Sequence, residues 1–119
     1  MSDKNKQRKW EREEVVILVV EYFRTKNLSN EEIEKTHQKI SNFLRRREEM
    51  LTGISVSDIF RNYAGIHMQS IRIRCLDPET QYSGMQSTKL QKEIVQEYLK
   101  NPDKITAEAE QIYEKYGRE

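Results

Sequence analysis

Apolar residues along this chain recur at helical spacing, interrupted by one short run that is apolar throughout. Trp10, Ile17, Val20 and Phe23 predict a first helix, with Glu11, Glu13 and Glu14 at its positive end. Inside it lies Val15 to Val20, VVILVV, whose β-branched residues would also suit a strand. Charged sequence flanks the run and no second strand-like run exists to satisfy its backbone groups, so the helix is the better reading. Ser29 or Asn30 predicts the cap of a second helix, whose Ile33, His37, Ile40, Phe43 and Leu44 share one face. It runs to Glu49 or beyond and ends by Gly53.

Ser55 or Ser57 opens a short turn through Ile59 and Phe60, with Asn62 and Gly65 as breaks. Residues 66 to about 76 predict a third helix, stopped by Pro78. A loop containing Gly84 follows. Leu90, Ile94 and Tyr98 mark a fourth helix, Asn101-Pro102 breaks it, and Ile105, Ala109, Ile112 and Tyr116 mark a fifth that ends at Gly117. The expected fold class is all-α: one compact domain of about five helices over residues 10–117, preceded by a flexible basic tail, residues 1–9.

At 119 residues one domain is the expectation, with a modest core. The chain is 35% hydrophobic and 34% charged, polar for a globular protein, but its periodic apolar positions argue against disorder. Its single cysteine, Cys75, excludes an internal disulfide. No signal peptide is evident, so a cytoplasmic location is expected.

The net charge of +1 conceals an uneven distribution. Residues 1 to 12 hold five Lys or Arg against two acids, residues 45 to 74 six against three, and residues 75 to 119 six against nine. The tail and the middle therefore suit a polyanion, and the last third suits water or a protein. Arg45, Arg46 and Arg47 spread around the second helix and form no single basic patch.

Candidate chemistry concentrates in residues 61 to 78, which carry Arg61, His67, Gln69, Arg72 and Arg74. On the third helix Met68, Ile71 and Cys75 share one face and Ile66, Ser70 and Ile73 another, which predicts a helix sandwiched between neighbours. Arg72 and Arg74 fall on opposite shoulders. An exposed shoulder facing DNA would place Gln69, Arg72 or Arg74 at base edges, where amide and guanidinium groups match paired donors and acceptors. Arg12, Arg61 and the tail lysines would hold phosphates, and His67 lies among them. His37 reads as a packing residue. Neither histidine has a metal partner at ligand spacing, and no acid–base cluster, cofactor motif or metal site is expected.

Trp10-x-x-Glu13-Glu14, Tyr22-Phe23-Arg24, Ile40-Ser41-x-x-Leu44, Phe60-Arg61-Asn62-x-x-Gly65-Ile66-x-Met68 and Leu76-Asp77-Pro78 follow in an order that resembles a known family. It is the helical N-terminal domain that precedes the nuclease module in bacterial HNH restriction endonucleases. The likeness continues through Gly84-Met85, Ser87-x-Lys89-Leu90 and Ala109-x-x-Ile112, covering roughly residues 10 to 113. It implies a non-enzymatic part in DNA recognition, with cleavage belonging to a separate module. The first three helices are also similar to Myb or homeodomain helix-turn-helix units, in which the third helix enters the major groove. Gln69 stands where the family often has Lys, and Arg72-Ile73 where Asn commonly precedes an aromatic. The expected partner is double-stranded DNA. The alternative is a protein effector or an attached nuclease domain, with the chain acting as an interaction module or a phage or mobile-element inhibitor.

Overall fold

A computed structural model describes residues 8–117 and contains five helices in the order α1 (Arg12–Thr25), α2 (Asn30–Thr52), α3 (Tyr63–Arg74), α4 (Lys89–Lys100) and α5 (Pro102–Tyr116). The protein is all-helical, and no strand occurs among the described residues. The apolar run belongs to α1, in which every residue from Glu14 to Tyr22 is buried. A helix apolar on all sides must be surrounded, and α1 touches each of the other four. The centre of the fold is thus α1.

Local sequence chemistry sets the boundaries. Ser29 Oγ accepts the Glu32 amide at 3.2 Å to start α2, and Gly53, at φ 76°, ends it in the left-handed region. Thr88 and Gln91 cap the start of α4 reciprocally, each side chain accepting the other's backbone amide. Asn101 ends α4 and begins α5, its side chain accepting the Lys104 amide ahead of Pro102 in the first turn.

Two expectations about α3 need correction. The helix begins at Tyr63, three positions earlier than residue 66, because Asn62 Oδ1 caps it by accepting the Gly65 amide at 2.9 Å. Gly65 therefore lies inside the helix. Nor is α3 enclosed on two sides: Ile66 and Ile73 are fully buried, but Met68 is 43% exposed and Ile71 and Cys75 are only partly covered. It packs chiefly on α1 and α2 and only lightly on α4, so a whole flank faces outward.

Aromatic contacts complete the core. Phe23 of α1 stacks on Tyr98 of α4 at 4.4 Å between centroids, and Phe43 of α2 meets Tyr113 of α5 edge-on at 4.8 Å. The expected tail lies mostly outside the described residues, as residues 1–7. Arg8 is anchored: its guanidinium bonds to Glu48 and to Glu14, at 2.7 Å for the latter.

Candidate nucleic-acid interface

Of the six residues singled out for DNA contact, the structure brings four onto α3 and removes two. Arg61 is buried to 1% exposure, and its Nε donates to Glu14 Oε2 at 2.8 Å. Its guanidinium lies over Trp10 at 4.0 Å and Phe60 at 4.4 Å. This corrects the expectation of a phosphate contact, since a side chain sealed between α1 and the loop before α3 cannot reach a polyanion. Arg12 is turned away as well. It pairs with Glu97 at 2.9 Å and Glu108 at 2.8 Å, joining the start of α1 to α4 and α5.

The other four are on α3. Gln69 accepts a hydrogen bond from Gln91 Nε2 at 2.6 Å, which ties it to α4 and withdraws its carbonyl from base reading. Arg72 is half-buried, with its Nε enclosed and without a hydrogen-bond partner. Arg74 is exposed, its guanidinium 4.4 Å from the centre of the Tyr82 ring. His67 is exposed and stacks on Tyr63, one turn earlier, with centroids 6.2 Å apart. Arg74 and His67 are seven residues apart and share the outward flank with Met68 and Ile71.

Sequence reasoning missed the contribution of α4. Ser87 Oγ donates to the Arg72 carbonyl at 3.0 Å, and Gln91 meets Gln69, so the first turn of α4 runs beside α3. That turn carries exposed Lys89 and Lys92. Averaging the last third of the chain as acidic concealed this, because its acids begin again only at Glu93. Residues 59–76 and 80–92 contain no Asp or Glu.

The two acids between those stretches are already bound. Asp77, 3% exposed, accepts from Tyr22 Oη at 2.8 Å and Lys26 Nζ at 2.7 Å, and Lys26 also bonds to Glu79. Burial pushes the Asp77 carboxyl up, but the Lys26 hydrogen bond and its companions outweigh this and hold it below the usual carboxylate range. The same partnership pushes the Tyr22 hydroxyl up, through burial first and Asp77 second. Asp77 thereby fastens the loop after α3 to the end of α1.

Beside this flank, the end of α1, the start of α2 and α3 enclose a groove of about 410 Å³, lined by Lys26, Asn30, His37, His67, Ile71 and Arg74 among others. Among the described residues no group of three or more His, Cys, Asp or Glu could hold a metal ion, and no helix is long and apolar enough to cross a membrane. No family model, curated protein or solved structure matches this chain.

Proposed function

We propose that this protein is a non-enzymatic DNA-binding domain that applies the outward flank of α3 and the first turn of α4 to a duplex. The observation that supports this most is that residues 59–76 and 80–92, which carry Arg72, Arg74, Lys89 and Lys92, contain no Asp or Glu, and that Glu79 between them is paired with Lys26. Phosphates bind such a surface by releasing counterions, and the exposed Met68 and the partly covered Ile71 offer apolar contacts to thymine methyl groups. Arg74 and Arg72 are the candidate readers, His67 a flanking contact, and Lys89 and Lys92 the phosphate anchors. The resemblance to the domain preceding HNH nuclease modules points the same way, toward restriction or defence.

Fluorescence anisotropy with labelled duplexes, unmodified and modified, at about 50 mM salt tests this. Binding should weaken steeply as salt rises and weaken further in Arg72→Ala/Arg74→Ala. Absence of binding to every duplex at that salt would refute the reading.

A second reading rests on a different surface. Met50, Leu51, Ile54 and Ile59 are 57%, 54%, 69% and 44% exposed around the end of α2 and the loop after it. Clustered exposed apolar residues suit a protein contact. Under this reading the chain binds a protein effector in a complex that survives nuclease treatment and is abolished in Leu51→Asp/Ile54→Asp.

A further inference from the structure

His37 on α2 and His67 on α3 are thirty residues apart in the chain, yet their Nδ1 atoms stand 3.4 Å from each other with ring centroids 5.4 Å apart. That separation is within reach of a weak N–H···N hydrogen bond, whose donor and acceptor depend on the tautomer. It is also the bite of a chelate. Two imidazole nitrogens each about 2.0–2.1 Å from a tetrahedral ion are held about 3.4 Å apart. We propose that His37 and His67 form a two-donor site for a divalent transition-metal ion of the zinc, nickel or copper type, with its remaining coordination positions opening onto the groove between α1, α2 and α3.

Several features of the surroundings fit. Both histidines line the groove, so an ion held there is reached from solvent although His37 itself is only 4% exposed. Tyr63 flanks both rings, with centroids 6.1 Å from His37 and 6.2 Å from His67. His67 stays on one turn of α3 with Tyr63, and His37 sits in the first half of α2, so neither donor depends on a loop. With only two protein donors the site is open, and water or an oxygen or nitrogen donor of a ligand in the groove would complete it. Zinc-class ions accept imidazole with such mixed coordination, whereas magnesium and calcium demand oxygen ligands.

The site also has a structural consequence. A bound ion would cross-link α2 to α3 beside the flank proposed to meet DNA, adding positive charge there. The metal proposal does not rest on the DNA reading, and its test uses no nucleic acid.

The test is titration of the tag-free 119-residue chain with zinc chloride and with nickel chloride near pH 7.5, followed by calorimetry and by two-dimensional NMR of the histidine rings. The chain has two histidines, so assignment is direct. The expected result is one ion per chain with micromolar affinity, displacement of both ring-nitrogen resonances together, and at least about tenfold weaker binding in His67→Ala. Because His67 is exposed, that variant is expected to keep its helical circular dichroism; should it unfold, the wild-type NMR titration decides alone. Movement of only one histidine resonance, or of neither, overturns the proposal. So does a folded His67→Ala that binds as tightly as the wild type.

Discussion

Arg61 and Glu14 form an ion pair with both side chains fully enclosed, Nε to Oε2 at 2.8 Å, across forty-seven residues of chain. Glu14 also accepts Arg8 at 2.7 Å and the Glu11 amide at 3.0 Å, so its carboxylate is the hub of the N-terminal corner. Burial pushes this carboxyl up, but Arg61 and then Arg8 pull harder, and it ends below the usual range. Removing either partner strands a buried charge, which costs about 3–5 kcal/mol. Arg61→Ala should therefore lower stability by that amount in urea unfolding, whereas Arg61→Met/Glu14→Leu, which removes both charges, should lose much less. A loss below about 1 kcal/mol in Arg61→Ala would show that the corner relaxes around the deletion.

Arg12 and Arg74 should separate cleanly in a binding assay. Arg12→Ala breaks half-exposed pairs with Glu97 and Glu108 and should cost under about 1 kcal/mol of stability while leaving DNA affinity unchanged. Arg74→Ala should weaken binding and leave stability near wild type, its main contact being the Tyr82 ring. Lys89→Ala/Lys92→Ala should reduce the salt slope by about 2, close to one for each phosphate that is no longer neutralised. Equal effects of Arg12 and Arg74 on affinity would move the interface to another face.

Stability should rise with pH in two separate windows. The His37 imidazole is depressed in the folded protein to about 4, from about 6.5 unfolded, so the unfolded chain binds more protons between those values. Its contribution is complete above about 6.5 and is lost as pH falls toward 4. The lowered carboxyls of Glu13, Glu14 and Asp77 act lower, their contribution present above about 4.5 and lost as pH falls through the depressed folded values. Urea midpoints should therefore drop between pH 7 and 5, and His37→Phe should flatten that interval but not the fall below pH 4.5. The charged and titratable groups around the His37 side of the groove are His67, Lys26, Arg74, Glu79, Tyr22 and Tyr63.

Gly53 should resist replacement for a purely backbone reason. A Cβ there would meet nothing within 4 Å, so space is not the obstacle; the φ of +76° is. Gly53→Ala should cost about 1 kcal/mol through the left-handed conformation alone. Thermal unfolding that shows no change would mean that α2 ends differently in the variant.

Much of the fold is legible from the chain because its helices carry their own signals. Ser29, Asn101 and Gly53 are boundary residues whose side chains or backbone freedom act within a few positions, and each does so in the structure. The start of α3 was missed because Gly65 suggests a break, yet Asn62 caps the helix ahead of it and the glycine amide is the donor to that cap. The interface was less legible than the fold. Arg61 looks like a phosphate ligand in any linear reading, since its partner Glu14 is distant in sequence and nothing local announces the pairing.

The sequence by itself determined that the chain is helical and where most helices begin and end, because capping and hydrophobic periodicity are properties of short neighbouring stretches; that α1 lies at the centre came from the structure. Only the tertiary structure decided which charges are engaged internally and which are left to face a partner. Arg12 and Arg61 are taken up by carboxylates on other elements, Gln69 by Gln91, while Arg74, Lys89 and Lys92 remain on the surface. It also brought His37 and His67 together. Pairing energies fall off within a few ångströms, so the availability of a side chain depends on what the fold places beside it, and spacing along the chain carries no record of that.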